Sequence, residues 1–387
     1  MYSAECAISF LSSTMKVSFP LRLLATVLIS SEVQSLSFSW QEITILSDCG
    51  IASLLSLDGS LNVELFAGNK QGKIHRFCWT ENSIQYRGNM EDERVDTRPF
   101  PVFSMTCTVA PFQIFSGGGD RYISVWQQRD EKKWSCRQRL GPHTGWVKDI
   151  LYDNCRGVLH SIGCNCIESW ERALDDDEEE LWTHAAKRSI ESSLEEGATL
   201  SSDLLCLCAS DEMDRFYAGG VDGRIHAWPC DLSLPNPFYS IGAHKGRISF
   251  LAYAPMAKLL FSSGHDGDVQ CRRVLEGNTL KKIPDVHIEV VDADGNPARV
   301  TAFGLLQECD YFAYFVLGTA NGELACFRAF VEDDTVVLTE AATSRYCFAD
   351  KPMITAICAL KCPTSSDSLG TLAVGHSCGL SLIQVER

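Results

Sequence analysis

The 387-residue chain has few basic residues and no long apolar run. It carries 34 Lys and Arg against 50 Asp and Glu, a formal net charge of −16. Such a charge repels nucleic-acid phosphates, so we expect no direct nucleic-acid binding. The longest apolar run near the start of the chain, residues 23–29, is too short to span a bilayer. We therefore expect no membrane span.

Several motifs of enzymes and metal sites are also missing. The sequence contains no Gly-x4-Gly-Lys-Ser/Thr, no His-Glu-x-x-His, no Cys-x-x-Cys and no pair of His residues three to five apart. Phosphate loops, zinc-protease helices and common structural zinc sites need these spacings. The 18 cysteines are therefore interpreted first as small buried side chains, and whether any form disulfides depends on the compartment. We expect no metal and no cofactor.

The sequence does contain a recurring pattern. "AGGVDGRIHAW" at 218–228 combines a turn with an alternating strand, and related stretches end at residues 77, 126, 170, 272, 327 and near 384. Six positions before the end of the clearest copies stands a turn residue: Gln71, Asp120, Asp222, Asp266 and Asn321. Nine positions before it stands a small residue: Gly68, Gly117, Gly219, Ser263 and Gly318. A period in the forties, lengthened by insertions, indicates blades of four strands.

With these copies, residues 37–387 resemble the WD-repeat β-propeller family. "ISVW" and "IHAW" are similar to the family's terminal strand, but no copy has the Trp-Asp dipeptide itself. The resemblance implies an all-β fold: a seven-bladed propeller of four-stranded antiparallel blades. The last blade runs out of chain after three strands. Residues 37–46 are therefore expected to supply its outer strand and close the ring.

The resemblance also assigns structural roles. In the family, His, Ser, Asp and Trp form a buried chain of hydrogen bonds within a blade, and no blade here has the full set. The positions that match are Ser116, Asp120, Trp126, His143, Trp170, Asp222, Trp228, His244, Ser262 and Asp266. We expect these residues to be structural, with no catalytic residue among them, and Asp120 and Asp222 to be buried and hydrogen-bonded.

Three regions are longer than a minimal blade requires: residues 87–100, 171–203 and 282–300. The second contains six consecutive carboxylates. Concentrated like charge is typical of a solvated loop, or of a docking site for a partner with a basic surface. The candidate partner-binding residues are Trp146 on a strand-entry loop, together with Asp175, Asp176, Asp177, Glu178, Glu179 and Glu180.

Residues 1–36 are expected to be a targeting-like or disordered segment. Counted from Met15, basic residues, a short apolar run and small residues follow one another as in a signal peptide. "SLSFSW" also resembles the cleavage region of plastid-targeting presequences. The compartment stays open between the secretory pathway, a plastid, and the cytoplasm or nucleus that the family resemblance implies.

The resemblance implies a non-catalytic scaffold that binds other proteins. One alternative is a substrate receptor of a cullin-type ubiquitin ligase, because "WQQR" at 126–129 keeps Trp and Arg of the receptor motif but loses its Asp. Another is a propeller enzyme with an active site in the central funnel.

Overall fold

A computed structural model defines the fold over most of the chain after residue 38. It describes residues 39–47, 49–58, 62–80, 83–90, 100–108, 112–128, 133–174, 180–190, 203–210, 215–230, 237, 239–274, 280–291, 297–309, 312–332, 335–340, 346–360 and 368–386. The expectations for residues 1–36 lie outside these ranges. Ser37–Arg387 forms one compact unit.

The described residues form seven antiparallel sheets, one per blade, each in the order a, b, c, d from its first strand outward. Blade 1 contains β2 (Ile51–Asp58), β3 (Val63–Asn69), β4 (Ile74–Thr80) and β5 (Ser83–Met90). Blade 2 contains β6 (Val102–Thr108), β7 (Gln113–Gly118), β8 (Ile123–Gln128) and β9 (Trp134–Leu140). Blade 3 contains β10 (Val147–Asp153), β11 (Val158–Gly163), β12 (Cys166–Leu174) and β13 (Glu180–Ser189).

The remaining blades follow the same plan. Blade 4 contains β14 (Leu204–Ser210), β15 (Arg215–Gly220), β16 (Arg224–Pro229) and β17 (Tyr239–Gly242). Blade 5 contains β18 (Ile248–Ala254), β19 (Leu259–Gly264), β20 (Asp268–Val274) and β21 (Leu280–Glu289). Blade 6 contains β22 (Val300–Cys309), β23 (Phe312–Thr319), β24 (Glu323–Glu332) and β25 (Thr335–Glu340), with β26 (Tyr346–Cys347) also paired to β24. Blade 7 contains β27 (Ile354–Leu360), β28 (Ser368–His376), β29 (Gly379–Glu386) and β1 (Ser39–Ser47).

The a strands form the inner ring of the propeller. They contact one another in the closed order β2, β6, β10, β14, β18, β22, β27 and back to β2. The apolar core lies between neighbouring blades; for example, Phe66 and Ile74 of blade 1 pack with Ile114, Trp126 and Trp134 of blade 2. The seven-bladed, all-β expectation is confirmed.

An N-terminal strand completes the last blade, as expected. β1 pairs antiparallel with β29 from Ser39 opposite Glu386 to Ser47 opposite Gly379. Blade 7 therefore joins residues from both ends of the described chain. At the other side of this blade, the Thr355 hydroxyl donates to the Ile51 carbonyl at 2.6 Å, so side-chain hydrogen bonding also crosses the closure.

Each inner strand carries a β-bulge at its second residue. The strand register slips there in every blade, as between Val147 and Asp149 in blade 3. The bulged residues are Ala52, Phe103, Lys148, Leu205, Ser249, Thr301 and Thr355. All seven are half-buried. We call the end of the ring at which the inner strands begin the mouth. A bulge changes the direction in which a side chain points. The seven bulged residues therefore supply side chains to the mouth.

The recurring small residue at the end of each b strand is explained by close packing between blades. A Cβ built on Gly219 would lie 2.7 Å from Ile248 Cγ2 of the next inner strand and 2.8 Å from Cys206 Sγ. Gly117 similarly faces Val147, at 2.5 Å. No side chain fits without moving the neighbouring blade.

Gly219→Ala is therefore expected to destabilise the protein by about 2 kcal/mol through overpacking, measured by urea denaturation. Gly242→Ala in the same blade is the control, because a Cβ there meets no atom within 4 Å. Equal stability of the two variants would contradict this account of the repeat.

The three regions expected to exceed a minimal blade are partly regular strand. β5 reaches Met90, β12 and β13 take residues 171–174 and 180–189, and β21 takes residues 280–289. Long insertions are accommodated by register slips: Gln270 pairs with His287, whereas Arg272 pairs with Lys282. The outer hairpins are long because backbone pairing between their two strands continues beyond the residues that pack in the core.

Candidate functional site

Blades 2 and 3 each contain a buried hydrogen bond from a tryptophan to a serine, and in blade 3 a histidine joins it. The Trp126 indole N–H donates to Ser116 Oγ at 2.8 Å. In blade 3, Trp170 donates to Ser161 Oγ at 3.1 Å, and His143 Nε2 lies 2.8 Å from the same hydroxyl. Burial lowers the pKa of His143, which keeps the imidazole neutral. The structure gives these side chains hydrogen-bond partners within the fold.

Blade 5 keeps the network with a different donor. His244 Nε2 lies 3.0 Å from Ser262 Oγ, and its Nδ1 lies 3.1 Å from Asp266. Where the family has Trp, Arg272 Nη1 donates to Ser262 Oγ at 3.2 Å. Burial lowers the pKa of Arg272, and Gln270 Oε1 accepts from the same guanidinium at 2.7 Å. The arginine thus replaces the indole as a donor to this serine.

In blade 4 the tryptophan is kept but its acceptor is not. Trp228 is fully buried and stacks on Phe216 at a centroid distance of 5.7 Å. Ala218 stands where blades 2, 3 and 5 have serine, and the Trp228 indole N–H has no hydrogen-bond partner in the described part of the chain.

The turn aspartates are hydrogen-bonded, but the expectation that they are buried is wrong. Asp120 is half-buried; it accepts from the Tyr122 backbone at 3.2 Å and pairs with Arg139. Asp222 is exposed as a whole residue, but its side chain is only 19% exposed; it accepts from the Arg224 backbone at 3.0 Å, and its Oδ2 lies 3.4 Å from His226 Nε2. No histidine immediately precedes the first strand of blade 2 or blade 4. Arg139 and His226 therefore contact Asp120 and Asp222 where His244 contacts Asp266.

One pattern of serine hydrolases escaped the sequence analysis. Gly375-His376-Ser377-Cys378-Gly379 matches Gly-x-Ser-x-Gly, which in those enzymes forms a strand-to-helix elbow. Here it lies at the β28–β29 hairpin, and His376 Nε2 lies 3.2 Å from Ser381 Oγ rather than at Ser377. The motif forms a hairpin turn and no activated nucleophile.

Cys206 and Cys208, separated by one residue on β14, behave as buried apolar side chains. Burial raises the pKa of both Cys206 and Cys208, so neither is a thiolate at neutral pH. Among the residues that the structure describes, no group of three or more His, Cys, Asp or Glu side chains could hold a metal ion.

Among the tryptophans whose burial the structure describes, the most exposed one lies at the mouth. Trp146 is 54% exposed, and its ring centroid is 5.8 Å from that of Phe103. Lys148 Nζ lies 4.4 Å from the Phe103 centroid and 4.5 Å from the Trp146 centroid, within cation–π distance of both rings. We call these three residues the mouth patch. Among the bulged residues only Phe103, Lys148 and Leu205 are large, so the large side chains at these positions are confined to blades 2 to 4.

A second group of polar side chains occupies the mouth at blades 5 to 7. Arg247 Nε donates to His265 Nε2 at 2.6 Å, and Arg299 Nη1 lies 3.4 Å from the same nitrogen. Arg299 Nη2 also contacts Met353 Sδ at 3.4 Å. Burial and the two arginines lower the pKa of His265. We call Arg247, His265 and Arg299 the arginine pair with its histidine.

Electrostatics connect the two groups. Burial lowers the pKa of Lys148, Asp203 raises it, and Arg247 lowers it further. Lys148 of the mouth patch and Arg247 of the arginine pair therefore interact electrostatically, although they belong to blades 3 and 5.

Of the expected partner-binding residues, the structure describes Trp146 and Glu180, and it does not bring these two together. Trp146 precedes β10, whereas Glu180 stands beside the end of β12, so the two lie at opposite ends of blade 3. Glu180 begins β13 and pairs with Leu174; residues 175–179 lie outside the described ranges. The role of the acidic run stays a prediction, and so does that of Arg129 in "WQQR", which also lies outside them.

Sequence reasoning found Trp146 but missed Phe103, Lys148, Arg247 and Arg299. An alignment of the inner strands on their first buried residue would have marked Phe103 and Lys148. The residue that follows has a large side chain only at these two positions and at Leu205 of blade 4. Nothing in the sequence indicated that arginines 52 positions apart share one histidine.

Comparison with known proteins supports the repeat assignment. The model of the WD domain, G-beta repeat, matches residues 235–272, a stretch that includes His244, β18, β19 and most of β20. The chain is a divergent WD-repeat propeller. The match falls on the blade with the most complete network, which agrees with weaker repeat signatures elsewhere.

Curated relatives give a partial likeness. The protein SEC13 homolog of Rattus norvegicus and that of Mus musculus are each 22% identical over 119 residues, 30% of this chain and 36% of the relative. The human SEC13 homolog matches at the same identity and coverage. The chain thus spans about a third of the length of these relatives.

A search of the described residues finds no helix long and apolar enough to cross a membrane.

Proposed function

We propose that this WD-repeat propeller is a non-catalytic scaffold that binds a partner protein at its mouth. The mouth patch carries the proposal: an indole 54% exposed, packed against Phe103 and beside Lys148. Exposed aromatic and cationic side chains at a rigid site are typical of the residues that dominate protein–protein binding energy.

The rigid backbone supports this use. Phe103 and Lys148 stand on adjacent inner strands whose bulges are set by strand pairing, so little ordering is needed on binding. Preorganised side chains lose less entropy when a partner arrives. His143 and His244 are hydrogen-bonded inside their blades, whereas the Trp146 ring is exposed at the mouth.

Trp146→Ala is expected to weaken capture of mouth-bound partners by at least about tenfold. The measurement is quantitative mass spectrometry of proteins retained from extracts of the producing cells by the immobilised full chain. Tyr86→Ala is the matched control, because Tyr86 is also 54% exposed but lies on outer strand β5.

A partner set reduced for Trp146→Ala and retained for Tyr86→Ala supports the proposal. Equal retention by both variants, with unchanged melting temperatures, would place binding elsewhere on the molecule.

A further inference from the structure

We propose that the segment bound at the mouth is an acidic peptide with an aromatic or large apolar side chain beside its carboxylates. This rests on the proposed scaffold function and names the chemistry of the partner. The mouth patch would take the apolar side chain, and the arginine pair with its histidine would take the anionic groups.

The arginine pair places two positive charges at one histidine nitrogen. Two guanidinium groups within hydrogen-bond range of one histidine repel each other and lower the pKa of that histidine. An anion between them would offset this repulsion, since a guanidinium binds carboxylate and phosphate oxygens through paired N–H groups. Arg247 is exposed and Arg299 is half-buried, so both can be reached from solvent.

Two described carboxylates lie close to these cations. Asp266 raises the pKa of His265 while it accepts from His244 and from the Lys245 backbone at 2.9 Å, and Asp203 raises the pKa of Lys148. Arg247 and Arg299 nevertheless meet at His265, so a bound carboxylate would place an anion between the two guanidinium groups.

The positions between the two groups suit an extended segment of mixed character. Leu205 and Ser249 are the bulged residues of blades 4 and 5, and both are half-buried. A peptide that crosses the mouth from blade 3 to blade 6 thus contacts the apolar side chain of Leu205 beside the mouth patch. It then contacts the small polar side chain of Ser249 before it reaches the arginines. Lys148 adds a third cation along this path, beside the exposed Asp203, which precedes β14 and raises the pKa of Lys148.

A peptide fits better than a nucleic acid. Stacking on Trp146 and cations nearby would also suit a single strand, but the net charge of the chain is strongly negative and repels a polyphosphate. The apolar Leu205 between the cations offers a nucleic-acid backbone no partner. A short acidic peptide places its charge only at the cations and leaves the rest of the surface unaffected.

The test is a selection of random dodecapeptides displayed on phage against the immobilised full chain. We expect enrichment of Asp and Glu together with Phe, Trp, Tyr or Leu. Enriched peptides are then synthesised and their affinity measured by fluorescence anisotropy, each with a Glu→Gln version and a phosphoserine version. Affinity should fall at least about tenfold for Glu→Gln and for the double variant R247Q/R299Q. It should also fall with added salt.

The control removes two charges elsewhere. R87Q/K133Q changes exposed cations in outer strand β5 and just before outer strand β9 and should leave affinity unchanged. Retention of affinity in a phosphoserine version would show that the site accepts either anion, which the proposal includes.

Three results would overturn the proposal: no enriched peptide, enrichment without acidic residues, or affinity unchanged in R247Q/R299Q. Tighter binding of a ten-nucleotide oligo-dT that depends on the same arginines would also overturn it. Peptides that need Trp146 but carry no acidic bias would leave the scaffold function standing and remove only the partner chemistry. Failure of the scaffold function itself would appear as equal retention in the Trp146→Ala capture experiment.

Discussion

Deletion of residues 1–47 is expected to unfold the propeller or convert it to oligomers. β1 supplies the outer strand of blade 7 and pairs with β29 along its length. Without it, β29 presents an unpaired edge, and such edges recruit other chains. The loss should approach the whole stability of a domain, about 5 kcal/mol or more. Differential scanning fluorimetry and size-exclusion chromatography measure the two consequences.

Deletion of residues 1–36 is the matched control, because it keeps β1 intact. Its melting temperature and elution volume should match those of the full chain. A synthetic peptide of residues 37–47 should also restore a monomeric peak to the longer deletion. Equal melting temperatures for the two deletions would contradict closure by β1.

Asp149→Ala is expected to destabilise the protein by about 3 kcal/mol. Asp149 Oδ1 accepts from Ser104 Oγ at 2.6 Å, and Oδ2 accepts from the Leu207 backbone N–H at 2.8 Å. One carboxylate thus connects the inner strands of blades 2, 3 and 4. Its removal leaves donors on two neighbouring blades without an acceptor. Urea denaturation measures the change.

Asp149→Asn separates hydrogen bonding from side-chain volume. The amide oxygen can still accept from Leu207, and the amide N–H can donate to Ser104, so we expect a smaller loss than for Asp149→Ala. An equal loss in both variants would show that the charge, rather than the bridging hydrogen bonds, matters. No measurable loss in either would contradict the bridging role.

The blade networks show which hydrogen bonds a repeat signature can predict. The sequence assigned His244, Ser262 and Asp266 to one network, and the structure places the His244 ring nitrogens 3.0 Å from Ser262 and 3.1 Å from Asp266. Their spacing is local to a hairpin and its entry loop, so pattern alone determines it. The substitute donor Arg272 was not foreseen, because an arginine acts in place of an indole only where burial and Gln270 orient it.

The turn aspartates show contacts that the repeat signature did not predict. Asp120 and Asp222 occupy the expected turns, yet their side-chain partners, Arg139 and His226, come from strands of the same blade and not from a histidine before its first strand. The turn itself is a local preference of the backbone. The side chain that contacts the carboxylate is supplied by another element and is not encoded in the turn.

By itself, the sequence determined the number of blades, the strand order within them and the closing role of residues near 37–46. These follow from periodic patterning, turn residues and the count of strands, which are local or repeat-wide properties. Only the tertiary structure decided what the mouth presents. Phe103, Trp146, Lys148, Arg247 and Arg299 are separated by up to 196 positions in the sequence. They share one surface because ring closure places the start of every inner strand at the same end of the molecule.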